Sequence, residues 1–589
     1  MSFPVPRTRW RSAAMCCAAA LVVAGCSSIP SDSAPQALRP YSPPTPSEQV
    51  ITPVDGQEPD LLLRGFFSAA ATPTQRHQGA RAFMTAERAS LWDDQSPVTI
   101  LDRIDLNAIS AASENSVSYV VRGDIVGTLG AGGVYTPSEG SYQSTIRLIK
   151  DNGQWRIAEL PNGVVFERTE LLNHFTPRDL FYFDPGERML VRDRRWVYDG
   201  QNSVDTAMLS LLVEGPKGML KPAVRTMVPP NAAFTGRTDN VYSFTGFSGL
   251  AAETRHKFAA QVVWTLARSG RPGPYRVQLD GAPIDPDHTE LTVEDVAEFN
   301  PLATAGKVPT VYAIDSGSLD EVASNVATPV QGPLGSSGRI LSAAVSGDTA
   351  AAVIGERPAA APADGGQPSR AEASQTLVAG PLGGPNTTIT QARSFTEPTF
   401  EYGASAVWTV ADGNTIIRAA RSTGTGEISQ TEVDSTLLDS INPEGLPITA
   451  FKLSSAGVRA ALIIGGKLYV AIIDRPVAGE RKIVEVTEVA RSLGDTSVTM
   501  DWQLDDSIVV GTSRTDAPMW RVEFDGSSIA HLPTGNITAP VRSVAATSTT
   551  LYVTDARAAL QLPIASTGST FWREVSGLQG TAATVVVSN

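Results

Sequence analysis

Five short segments in the second half of the chain share an apolar anchor, a turn and a Val/Ala-rich strand, and this internal repeat restricts the fold more than any other feature. The anchors are Ala343, leading into Ala-Val-Ser-Gly-Asp, then Phe400, Phe451, Trp502 and Val544, at intervals of 57, 51, 51 and 42. The clearest copies are Phe451-Lys-Leu-Ser-Ser-Ala-Gly457 and Trp502-Gln-Leu-Asp-Asp-Ser-Ile508. A unit of this size cannot bury both faces of its strands alone, and room for about four strands per period points to a β-propeller. The roughly 290 residues after position 300 accommodate six or seven blades, with a pair of β-sandwiches as the alternative. Residues 355–375, rich in Ala, Pro and Gly, read as a long loop between strands.

At the other end, Arg7, Arg9 and Arg11 precede an apolar run from Ala13 to Gly25 that stops at Cys26. As a helix such a run measures about 20 Å, too short for a hydrocarbon core of about 30 Å, so residues 1–25 read as an export signal and not as a span. Val23-Ala24-Gly25-Cys26 resembles the bacterial lipobox, which implies cleavage between Gly25 and Cys26 and acylation of the Cys26 thiol, with palmitate among the chains. The other two cysteines, Cys16 and Cys17, leave with the signal. The mature chain therefore forms no internal disulfide, and folding rests on core burial. Its charge is −14 before processing and −17 once the three leader arginines are gone. That balance excludes nucleic acid as a natural partner and leaves acyl chains, not a basic patch, as the membrane attachment. Only eight of the 47 cations are lysine, a bias found in GC-rich genomes.

Residues 26–59 carry Pro30, Pro35, Pro40, Pro43, Pro44, Pro46, Pro53 and Pro59 and read as an extended tether at about 3 Å per residue. A first domain spans 60–175: Leu62, Leu63, Phe66, Phe67 and Ala70 predict a helix, His77 to Leu91 a second, and Ser116–Val126, Tyr142–Ile149 and Trp155–Leu160 strands. Two helices followed by a curved antiparallel sheet resemble the NTF2 or cystatin-like fold. A second domain spans 176–298, with a strand at Leu180–Asp184, helices over Ser203–Val213 and Phe258–Ala267, and a strand at Tyr275–Leu279. Leu211-Leu-Val-Glu-Gly-Pro216, Gln261-Val-Val-Trp-Thr-Leu266 and Leu279-Asp-Gly281 resemble the GerMN domain, an α/β interaction module. The propeller then occupies 299–589.

Catalytic signatures are sparse. His77, His174, His256, His288 and His531 lie at least 32 residues apart, so no helical histidine pair for zinc exists. Gly246-Phe-Ser248-Gly and Gly335-Ser-Ser337-Gly miss the spacing of a nucleophile elbow. Asp285, Asp287, His288 and Glu290 begin like a calcium loop but lack its glycine, so a solvated loop is expected. Gly127, Gly130, Gly132 and Gly133 read as a hairpin connection, Asp501, Asp505 and Asp506 as turn residues, and the tryptophans at 155, 196, 264, 408, 502, 520 and 572 as core. No catalytic or metal residue and no cofactor is expected.

Lipobox, proline tether, small helix-plus-sheet domain, GerMN-like domain and propeller, in that order, resemble the actinobacterial LpqB lipoprotein family. The resemblance implies a non-enzymatic protein of the cell envelope, anchored on the extracytoplasmic face of the cell membrane. It further implies action beside the MtrA/MtrB two-component system, through the extracytoplasmic sensor domain of the MtrB-type histidine kinase, in cell-wall homeostasis and division. The main alternative is a glycan-binding or carbohydrate-active propeller, which requires Asp, Glu and Trp at the channel mouth. A weaker one is a lipid or small-ligand carrier using the first domain's concave sheet.

Overall fold

The computed structural model describes residues 51–109, 113–200, 203–300, 309–355, 374–564 and 570–588, apart from positions 423, 425 and 478. Gly25, Cys26 and the tether up to residue 50 lie outside the described residues, as does most of the 355–375 loop.

Helix α1 (Pro59–Ala70) starts with proline in its first turn, where the missing N–H costs nothing, and buries Leu62, Leu63, Phe66 and Phe67. The expected second helix is instead two short ones, α2 (Thr74–Arg81) and α3 (Ala86–Leu91). Between them Phe83 accepts from the Ile157 amide and Thr85 donates to Ile157, so this stretch pairs with the sheet while Thr85 caps α3. Ala80, Phe83 and Met84 are buried, as their spacing predicts. Strands β1 (Val98–Leu101), β2 (Asp105–Ala108), β3 (Ser116–Leu129), β4 (Tyr135–Asp151), β5 (Gln154–Glu159) and β6 (Val165–Glu167) form one sheet in the order β5-β4-β3-β1-β6, with β2 beside β3. The β3–β4 connection holds Gly130, Gly132 and Gly133, while Gly127 lies inside β3. A Cβ on Gly133, at φ +76°, would sit 2.3 Å from the Trp196 carbonyl.

After α4 (Arg168–His174) the hairpin β7 (Phe175–Phe183) and β8 (Leu190–Tyr198) leads into α5 (Val204–Glu214). Strands β9 (Ala233–Thr238) and β10 (Val241–Thr245), α6 (Ala252–Arg268), β11 (Arg276–Leu279) and β12 (Ala282–Pro283) complete this part, in the order β12-β11-β10-β9. Buried Gln261 on α6 donates to the Phe181 carbonyl at 2.8 Å and accepts from the Met227 amide at 2.9 Å, which fixes helix to hairpin.

The described residues between 311 and 587 form six four-stranded antiparallel sheets. Five have Ile340–Ser346, Thr399–Phe400, Ile448–Leu453, Ser497–Trp502 and Ser543–Ala546 as first strands, and these contain the five anchors of the repeat. In the sixth the C-terminal strand Thr584–Val587 pairs with Val311–Asp315, Val586 opposite Tyr312. These innermost strands touch their neighbours in sequence, and the C-terminal one touches both Ser543–Ala546 and Ile340–Ser346, so the ring closes. Closure removes the open edges that a sandwich would leave.

The parts of the described body share cores. Val458 and Ile472, from the ring, join the apolar cluster of α5, α6 and the hairpin. Strand β8 carries the consecutive charges Arg192, Asp193, Arg194 and Arg195, and each is used at a boundary. Arg195, with a side chain 0% exposed, donates to Asp193 at 2.6 Å and to the Gly132 carbonyl of the first sheet at 3.2 Å. Arg194 pairs with Glu523 at 2.7 Å, Arg192 donates to the Asp505 carbonyl, and Arg459 stacks over Phe524 at 4.2 Å.

Candidate functional site

The ring closes around a cavity of about 740 Å³, large enough for a small molecule. Its wall repeats one position of the fold, the end of each innermost strand and the turn that follows. Ser346, Thr399, Leu453, Asp501, Ala546 and Ser588 stand at or one residue from those ends, and hydroxyl-bearing Ser454, Ser455, Thr547 and Ser548 line the turns. Met189 of the β7–β8 turn joins the wall from the other side of the boundary. A second crevice, lined by Arg192, Leu504 and Asp506, measures about 20 Å³ and holds no more than a water.

Two carboxylates of the wall are buried and differ in state. Burial alone would raise Glu401, but Arg418 donates to both its oxygens, at 2.8 and 3.1 Å, and Arg481 lies at 3.5 Å, so its carboxyl is held down at about 2. The Trp408 indole also donates to Glu401, at 3.0 Å. Asp501 is dominated by burial, which pushes it up to about 6 despite nearby Lys452 and despite amide bonds from Trp502 and Ala546, each 2.9 Å. Asp348, Phe400, Tyr402 and Trp502 complete the chemically distinctive part of the wall. The Asp, Glu and Trp required by the glycan alternative are therefore present at the mouth.

Most residues singled out in the sequence fall elsewhere. Asp285 accepts from the Asp287 and His288 amides and pairs with the His288 ring at 3.1 Å, as a self-capped loop does, while Glu290 pairs with Arg276. Among the described residues no group of three or more His, Cys, Asp or Glu could hold a metal ion, and no helix is long and apolar enough to cross a membrane. Asp505 caps Ser507 and Asp506 has φ +59°, as turn residues do. Asp501 corrects the expectation: it lies inside a strand, one residue before its end, and lines the cavity. Trp408 and Trp572 are core, whereas Trp502, 8% exposed, is both core and wall. Glu401, Arg418 and Arg481 escaped sequence reading, and nothing in their spacing marks them. The signal that was present is the charge run in β8, since four charges inside a strand flanked by apolar residues announce a buried boundary.

Comparison with known proteins agrees with this order of parts. The family description of a lipoprotein LpqB N-terminal domain matches residues 52–172, that of sporulation and spore germination residues 179–285, and that of the lipoprotein LpqB β-propeller domain residues 317–586. The chain is 41% identical to lipoprotein LpqB of Corynebacterium diphtheriae over 98% of its own length and 99% of the relative's. It is 37% identical to that of Corynebacterium jeikeium, covering 96% of both chains, and 33% identical to that of Mycolicibacterium smegmatis, covering 95% and 96%. With its central and C-terminal modules matched and its whole length shared with these relatives, the chain belongs to the LpqB lipoprotein family, which has a propeller domain and is not a known enzyme family.

Proposed function

We propose that this protein is a lipid-anchored regulator of the cell envelope that works by contact with the extracytoplasmic sensor domain of an MtrA/MtrB-type histidine kinase, in cell-wall homeostasis and division. In this reading Cys26, freed by cleavage after Gly25, carries the acyl chains on the extracytoplasmic face and residues 26–59 form the tether. Residues 60–175 are an NTF2- or cystatin-like module, 176–298 the GerMN-like module, and 299–589 a propeller whose six sheets are six blades. The observation that carries it is the commitment of the buried carboxylates. Glu401 is saturated by Arg418 and Trp408 and Asp501 accepts two backbone amides, so both support a rigid wall and neither is left free as a general acid or base. Acyl chains would confine that rigid surface to the layer where a membrane-embedded kinase projects, raising its effective concentration. Cross-linking in intact membranes followed by capture of the protein tests the reading: a sensor kinase is expected, and recovery of no kinase or envelope protein contradicts it.

A second reading is favoured by the cavity itself. Hydroxyls in several turns, two carboxylates and the rings of Phe400, Tyr402 and Trp502 around about 740 Å³ suit a polyhydroxylated ligand. Thermal stabilisation by envelope saccharides would support it, and a flat response across them would not.

A further inference from the structure

The side of the cavity formed by Glu401, Tyr402 and Met189 backs onto an arginine cluster with too few counter-charges. Four guanidinium groups, of Arg188, Arg418, Arg475 and Arg481, interact there with two carboxylates, Glu401 and Asp184. Both acids are already engaged. Asp184 accepts from the amides of Gly186, Arg188 and Met189 in the β7–β8 turn, at 2.7 to 3.0 Å, and Glu401 is held by Arg418 and Trp408. Arg475 is consequently weakly compensated. Its side chain is only 11% exposed, its nearest carboxylate is Asp184 at 3.6 Å, beyond hydrogen-bond reach, and its Nε is buried without a partner. The Nε of Arg481 is buried without a partner too.

The same cluster touches the cavity. Arg188, exposed on the hairpin turn, lies over the Tyr402 ring at 6.0 Å, and Tyr402 and its neighbour Glu401 are wall residues. A Cβ on Gly457 would come within 3.1 Å of the Arg475 guanidinium, which therefore rests against the turn whose Ser454 and Ser455 line the cavity. Burial and mutual repulsion lower both Arg475 and Arg481, Arg481 to about 10. A guanidinium with one long ion pair, to Asp184 at 3.6 Å, and a partnerless Nε beside a hydroxyl-lined cavity is a place for an anion, since planar paired donors match phosphate oxygens and add negative charge where cations outnumber acids.

We infer that Arg188 and Arg475 form an anion subsite at the rim of the propeller cavity, which takes the phosphate of a phosphorylated polyol or sugar whose hydroxyl-bearing part enters the cavity. This rests on the reading of the cavity as a ligand site. The anion would also bridge the hairpin, which carries Arg188, and the ring, which carries Arg475, so that ligand and inter-module contact strengthen together.

The test is calorimetric titration of the intact lipidated protein in detergent with inorganic phosphate, sn-glycerol 3-phosphate and N-acetylglucosamine. Both phosphates are expected to bind, glycerol phosphate more tightly, with affinity falling as salt rises. Arg188→Gln, at an exposed position that cannot compromise the core, and Arg475→Gln are each expected to weaken binding about tenfold. Arg514→Gln, in a separate surface pair with Asp516, should leave it unchanged. Phosphate binding that is absent, or unaltered in the Arg188 and Arg475 variants, overturns the inference. If N-acetylglucosamine then still binds, the cavity reading survives without the anion subsite, and if nothing binds both fall.

Discussion

Replacing Glu401 by glutamine removes the charge around which one side of the propeller mouth is organised. The carboxyl is 3% exposed, receives Arg418 at 2.8 and 3.1 Å, and is held at about 2 against an ordinary 4.5. At 1.36 kcal/mol per pH unit that difference is worth about 3 kcal/mol. Because the folded value is the lower one, this stability is fully present above pH 4.5 and disappears as pH falls towards about 2. Glu401→Gln leaves Arg418 and Arg481 buried without a counter-charge, so the loss at pH 7 is about 3 kcal/mol or more, a fall in Tm of roughly 5–10 °C for a domain this size. Scanning calorimetry of protein and variant at pH 7, 5, 4 and 3 checks this. The gap in Tm should be widest at pH 7 and should narrow below pH 4.5. A gap that is absent at pH 7, or equal at every pH, would refute the assignment of that stability to the Glu401 ion pair.

Asp501 behaves with the opposite sign. Burial raises it from 3.8 to about 6, so the folded protein retains a proton that the unfolded chain releases, and stability declines by about 3 kcal/mol as pH rises across that window. Asp501→Asn should abolish that decline, seen as a flatter Tm profile between pH 4 and pH 7, and an unchanged slope would contradict it. Removing residues 584–589 takes away the partner of Val311–Asp315 and opens the ring, so size-exclusion chromatography should show aggregates where the full chain elutes as one species. Gly133→Ala drives a methyl to within 2.3 Å of the Trp196 carbonyl at a positive φ, and urea unfolding should register a loss of at least about 2 kcal/mol.

The parts that were legible in the sequence are those where a local pattern carries the physics. Ala343, Phe400, Phe451, Trp502 and Val544 recur because each belongs to the innermost strand of a sheet, where one face is largely buried and turn residues follow at once. The closing strand Thr584–Val587 carries no such mark, since its partner Val311–Asp315 is at the far end of the domain. The helix expected over His77–Leu91 broke because Phe83 and Thr85 pair with Ile157, and periodicity records burial but not a competing strand. Asp501 read as a turn residue because Asp505 and Asp506 beside it are turn residues. The arginines around Glu401 come from the strand Thr415–Arg421, from the connection between the strands Lys467–Asp474 and Lys482–Glu488, and from the β7–β8 turn, and only folding brings them together.

A consequence of the shared cores is that the propeller cannot be removed cleanly. Val458 and Ile472 complete the cluster built on α5, α6 and the hairpin, so a chain ending at residue 300 would expose that face and lose more than the propeller's own contacts. Regulation is therefore best probed with the whole protein. Autophosphorylation of an MtrB-type kinase in proteoliposomes, measured with the lipidated protein and with its Cys26→Ala variant, tests the proposed role most directly. A severalfold change in rate that requires Cys26 is the predicted result, and identical rates with the lipidated protein, the unanchored variant and no added protein would contradict it.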